Sequence, residues 1–185
     1  MITLIGAGLL NVFLIPFGFY RCWDLGGRFS FKEVPLSYAT KIHTKHVFTF
    51  YIISIAVSQT LFLLEIFKVI TYIPTHLLLI PVSSMLALLL SGAIHSTTSK
   101  LIHRTAIAYM VVSLIFWSVL WHMFLYSINP IVGTLGFIIS ATVLIGCPGL
   151  HLYYKNFGMS EILFAAATVT WNILMISFVL HNLPT

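Results

Sequence analysis

The stretch TAIAYMVVSLIFWSVLWHMFLY, residues 105–126, decides the fold. It contains no Asp, Glu, Lys or Arg. As a helix rising 1.5 Å per residue it would reach about 33 Å, enough to cross a hydrocarbon core about 30 Å thick. Its apolar residues run on without the period-two alternation of a barrel strand. A helix also satisfies its own backbone hydrogen bonds, which a lipid environment demands. The reading is a transmembrane helix.

Five further segments match this pattern: 2–20, 47–67, 73–94, 130–147 and 160–180. They leave no stretch for a soluble domain. Composition agrees, because 59% of the 185 residues are hydrophobic and only 7% are charged. A soluble domain carries about 25% charged residues. The expectation is an all-α integral membrane protein, a bundle of about six transmembrane helices forming one polytopic domain. The net charge of +5 does not indicate a nucleic-acid partner, because the nine cations are scattered and form no basic stripe. The first span lacks a basic leader and a small-x-small site before Arg21, so it reads as a retained helix and not a signal peptide. The tightest connection is Ser127-Ile128-Asn129, after which Pro130 opens a helix where its missing N–H costs nothing.

The cations set the expected orientation. Arg21, Arg28, Lys32, Lys41 and Lys45 fall in the first loop, Lys100 and Arg104 in the third, and Lys155 in the fifth. Only Lys68 falls on the opposite side. Cytoplasmic loops collect Lys and Arg, which places both termini outside a cell membrane or an organellar inner membrane. The first loop, 21–46, reads as a basic tether held by anionic headgroups, with docking of a partner as the alternative. Tyr20 with Trp23, Tyr72, Trp121 with Tyr126, and Tyr153 with Tyr154 read as interfacial anchors. Cys22 and Cys147 fall near the inner face, where a structural disulfide is not expected.

Eight histidines stand out in so uncharged a chain. Each lies near a helix end. His76 and His95 are nineteen residues apart, as are His103 and His122, and His46 and Glu65. Nineteen residues of helix span about 28 Å, so each pair marks both faces of one helix. In the fourth span, Trp117, Ser118 and Trp121 fall between or near the two histidines.

If these stripes face the interior, His46, His95, His103 and His151 form an inner cluster with Glu161 nearby. Glu65, His76, His122 and His181 form a smaller outer one. Ionisable groups inside spans commonly mark sites, and imidazole is a common ligand of metals and haem iron. His76, His95, His103 and His122 are therefore the cofactor candidates, with b-type haem or a quinone as ligand. His43, His46 and His151 are weaker metal candidates. His43 and His46 are the only close pair, three residues apart. Glu65 and Glu161 are weak proton or ion candidates. Lys68 offers Glu65 a partner at i+3, and Ser160-Glu161 suits a helix start. The bland alternative is that histidine simply tolerates the headgroup level, as Trp and Tyr do.

Gly6, Gly8, Gly133 and Gly136 read as points of close helix approach, and Asn11 as needing a partner on another helix or subunit. His-Glu-x-x-His, Gly-x-Ser-x-Gly and Cys-x-x-Cys are all absent, and no two halves repeat. The leading expectation is a small subunit of a membrane redox complex, working among other membrane subunits in the bilayer. A membrane-embedded metal-dependent lipid enzyme, with Glu161 or Asp24 as base, is one alternative. A cofactor-free structural subunit is another. A transporter using Glu65 has least support.

Overall fold

A computed structural model describes residues 2–36, 45–70, 74–94 and 99–182. Among the described residues six long helices carry the chain: α1 (Ile2–Leu25), α2 (Lys45–Val69), α3 (Leu79–Ala93), α4 (Lys100–Ile128), α5 (Pro130–Tyr154) and α6 (Gly158–Asn182). A short 3-10 turn, Thr75–Leu78, leads into α3. With that turn counted into α3, all six are long and apolar enough to span a membrane. No strand occurs among the described residues. The protein is an all-α, multi-pass membrane bundle.

Local chemistry explains several ends. Ser99 caps α4 by accepting the Ile102 N–H. Asn129 ends α4 and begins α5, where its side chain accepts the Val132 N–H, and Pro130 follows at the first helical position. Pro81 sits in the first turn of α3, where it breaks no intrahelical bond.

Each helix packs on its neighbour in sequence, and α6 closes the ring on α1. Side chains from α2, α4 and α6 fill the middle. Phe62 of α2 meets Trp171 of α6 edge-on, with ring centres 6.0 Å apart. Phe67 of α2 lies 5.2 Å from Trp121 of α4. Trp117 stacks on Trp121 at 5.2 Å and meets Trp171 at 5.6 Å. Lipid tails are as apolar as these rings, so such a bundle is held by close packing and by hydrogen bonds between helices. Two buried polar links supply the latter. Gln59 and Asn172 exchange amide hydrogen bonds, both 3.1 Å, between α2 and α6. Ser58 of α2 donates to Asn11 of α1 at 2.5 Å. The partner expected for Asn11 therefore lies within the same chain.

The boundaries differ by five residues or more from the sequence reading at four helices, and α3 begins at Leu79, after the 3-10 turn, where the sequence reading has 73. α1 continues five residues past Tyr20, and α4 starts at Lys100, five residues before the apolar run. The largest shift is in α5, which continues through Pro148 to Tyr154 and does not stop at Cys147. There the Ser160 hydroxyl donates to the Cys147 carbonyl at 2.7 Å, tying α6 to α5 beside the proline. Both cysteines are free thiols.

Residues 26–36 of the first loop fold against the α5–α6 turn. Phe29 and Phe31 pack together, ring centres 4.9 Å apart, and Phe31 stacks on Phe19 of α1. Trp23 donates its indole N–H to the Phe29 carbonyl at 2.8 Å, and Asn156 donates to the Lys32 carbonyl. Glu161 accepts the Leu36 N–H at 2.6 Å. Gly158 starts α6 so close under this loop that a Cβ would run into the carbonyls of Phe31 and Val34. The Phe-rich pattern of residues 29–31 is the sequence signal that this segment needs cover.

Candidate functional site: a histidine clasped by three helices

His122 is the most enclosed titratable group in the interior, with no solvent exposure. The stripe of α4 that carries it also buries His103, Trp117, Trp121 and Leu125. Trp171 of α6 donates its indole N–H to His122 Nε2 at 3.1 Å. An indole N–H can only donate, so Nε2 carries no proton and the ring is neutral with its proton on Nδ1. Nδ1 lies 3.3 Å from Ser140 Oγ of α5 and donates to it. Ser140 passes its own proton to Ser118 at 2.9 Å or to the Gly136 carbonyl at 3.0 Å. Ser118 donates to the Ile115 carbonyl at 2.8 Å.

One imidazole thus connects α4, α5 and α6, with its tautomer set by the partners. Gly136 of α5 lies flat against the ring, and a Cβ there would overlap Cδ2 and Nε2. Phe137 meets the ring edge-on at 5.8 Å. Both ring nitrogens already have hydrogen-bond partners, and Gly136 lies against the Nε2 edge from which an axial ligand would reach iron. These residues do not fit an axial haem site at His122.

His103, at the other end of α4, is 2% exposed. Its Nδ1 lies 2.9 Å from the Ser91 carbonyl and 3.1 Å from that of Ile94. Carbonyls only accept, so this nitrogen holds a proton shared between both oxygens. Those carbonyls belong to the last turn of α3, where main-chain oxygens lack helical partners. His103 satisfies them and fastens the α3–α4 hairpin.

The other candidates are dispersed. His76 is exposed on the 3-10 turn, and His46 is exposed at the start of α2. His151 is half-buried and stacks on Phe157, ring centres 4.0 Å apart. His181 is exposed and donates from Nδ1 to the Ser177 carbonyl one turn back. His43 and His95 lie outside the described residues. Glu65 pairs with Lys68 at 2.5 Å, and Glu161 holds the first loop. Asp24 pairs with Arg28 at 3.1 Å. Among the described residues, no three His, Cys, Asp or Glu side chains gather as a metal site.

Sequence reading therefore found the α4 stripe but not its partners. Ser140 and Trp171, which meet His122, are not among the sequence-predicted candidates, and neither is Gln59, which pairs with Asn172. Trp171 lies in the middle of α6, away from the interfaces where Trp usually anchors. A Trp so placed needs an acceptor for its N–H, and that was the available signal.

No family model, curated protein or solved structure matches the chain.

Proposed function

We propose that the chain is a cofactor-free structural subunit of a larger membrane assembly. Its buried histidines act as struts between helices. One observation carries this reading: both nitrogens of His122 are engaged, by Trp171 and by Ser140, in a single chain of hydrogen bonds. Buried polar groups that find all their partners inside the bundle rigidify it. His103 supports the same reading, because its Nδ1 serves the carbonyls of α3.

A second observation favours membrane partners. Ser83 of α3 and Tyr109 of α4 share a hydrogen bond of 2.9 Å on the outer surface of the bundle. Tyr109 is 51% exposed and well inside its span. A hydroxyl pair facing lipid at that depth suits the interface with another helix. Within a redox complex, such a subunit would lend helices while the cofactor sits elsewhere. The eight-to-one distribution of cations supports an orientation with both termini outside.

The test is an absorbance spectrum of the detergent-purified protein, oxidised and then dithionite-reduced, with elemental analysis of the same sample. The proposal expects no haem band and no stoichiometric zinc or iron. A reduced b-type band that disappears in His122→Ala would overturn it.

A further inference from the structure

A groove of about 470 Å³ runs along the seam where α6 closes on α1. Its walls include Ile15, Phe19 and Trp23 of α1, and Ala165 and Val169 of α6, with Phe31 of the first loop at one end. It opens outward, because the lining residues Tyr20, Ala166 and Thr170 are exposed. From Ile15 to Trp23 is eight helical steps, about 12 Å, close to the depth of one leaflet of a core about 30 Å thick. The volume falls within the range of about 300–1,000 Å³ typical of small-molecule sites. Pro16 lies along it and removes one main-chain hydrogen bond from α1.

The mouth carries cations. The Arg28 guanidinium sits 5.9 Å from the centre of the Trp23 ring, which itself lines the groove. Lys32 is exposed and follows Phe31, and its carbonyl is fixed by Asn156. Asp24 neutralises part of the Arg28 charge, and Glu33 is exposed nearby. Arg21 adds a third cation beside Tyr20, so bases outnumber acids over residues 21–33. An apolar channel of leaflet depth, ending in aromatics and then in cations, matches one molecule in order: acyl chain, glycerol and phosphate.

We propose that the α1–α6 groove is a binding site for one anionic glycerophospholipid. Its acyl chain lies between Phe19 and Ala165, and its phosphate faces Arg28 and Lys32. The packed first loop contributes to this site, since Phe31 lines the groove and Arg28 sits over the ring of Trp23, another lining residue. The site is separate from the His122 network and stands whether or not the chain is a structural subunit.

Tryptophan fluorescence tests it. Trp117, Trp121 and Trp171 are at most 7% exposed, so quenching by a lipid with brominated acyl chains reads Trp23. The purified protein in mild detergent is titrated with brominated phosphatidylglycerol and, separately, brominated phosphatidylcholine. The expected result is saturable quenching, half-complete at about tenfold lower phosphatidylglycerol than phosphatidylcholine. The double substitution Arg28→Gln with Lys32→Gln, both on the exposed loop surface, removes that preference. Ala166→Phe, which narrows the groove from its exposed rim, removes the saturable phase for both lipids. Equal curves for the two lipids would overturn the proposal, as would a curve unchanged by Ala166→Phe. A dimeric mass with Trp23 shielded from both lipids would also overturn it, and would assign the groove to a second copy.

Discussion

His103 and His122 lie nineteen residues apart on one helix, both buried, both with the proton on Nδ1. Their surroundings differ in kind. At His122 the partners are side chains from two other helices, and the ring is walled in by Gly136 and Phe137. At His103 the Nδ1 partners are main-chain carbonyls at the end of one neighbouring helix. The first arrangement depends on the identity of several residues at once. The second rests on backbone oxygens, whose position does not depend on a particular side chain of α3. The same side chain therefore fixes the register of three helices at one end and closes a helix terminus at the other.

Substitutions can separate the two. Gly136→Val should be the most damaging, because the new side chain must displace the His122 ring. Overpacking costs about 1–3 kcal/mol even in forgiving cores, and loss of the hydrogen bonds adds to it. The expected outcome is a protein that aggregates on detergent extraction, read by size-exclusion chromatography. His122→Ala should follow at about 3 kcal/mol, since it leaves a cavity and strands the Trp171 N–H in an apolar interior. Thermal unfolding in detergent would measure that, and Trp171→Phe should cost about 2 kcal/mol, because it removes the donor and part of a ring packed on Phe62 and Trp117.

At the other end, His103→Ala should cost about 1 kcal/mol, with His103→Gln recovering part of it by restoring an N–H donor. No conservative replacement should rescue His122 in the same way. If His103→Ala proves as damaging as His122→Ala, the distinction between the two ends fails.

The reason one end was legible and the other was not is physical. The stripe of α4 was visible in the sequence because aromatics and polar groups recur on it at helical spacing: His103, Trp117, Ser118, Trp121 and His122. Inward facing was one of two readings of it, and Trp121, expected as an interfacial anchor, is buried in the core instead. The stripe marks one side of α4. It does not say which residues of α5 and α6 stand opposite, because lipid-facing and core-facing positions are equally apolar in a membrane span. Ser140 and Trp171 each sit in runs of Ile, Val, Ala and Thr that could turn either way. The nineteen-residue spacing suggested that His76 and His122 meet at the outer end of the hairpin. In the fold, the 3-10 turn before α3 leaves His76 outside, while His122 turns toward α5 and α6. The loop 26–36 leaves a signal in Phe29 and Phe31, but where it docks is set by backbone groups at Phe29, Lys32 and Leu36 that composition does not register.

Two smaller effects sharpen the comparison at the two rims of the bundle. Gly158→Ala places a methyl group against the carbonyls of Phe31 and Val34. It should loosen residues 26–36, seen as faster amide exchange in that segment, while the unfolding temperature of the bundle moves by only a few degrees. Lys68→Ala should do least. It breaks the pair with Glu65, in which the lysine is 69% exposed. Exposed pairs contribute about 0.2–1 kcal/mol, and raising the salt concentration should erase the difference from the parent protein.

The central claim is that His122 is a neutral strut with both nitrogens engaged inside the protein. Solid-state NMR of the bundle in lipid, with ¹⁵N-labelled histidine and His122 assigned through its loss in His122→Gln, tests this most directly. The account predicts a ring protonated at Nδ1 alone, a bare Nε2 coupled to the Trp171 indole N–H, and no change on adding zinc or haem. A proton on Nε2, or a signal displaced by metal or haem, would contradict it.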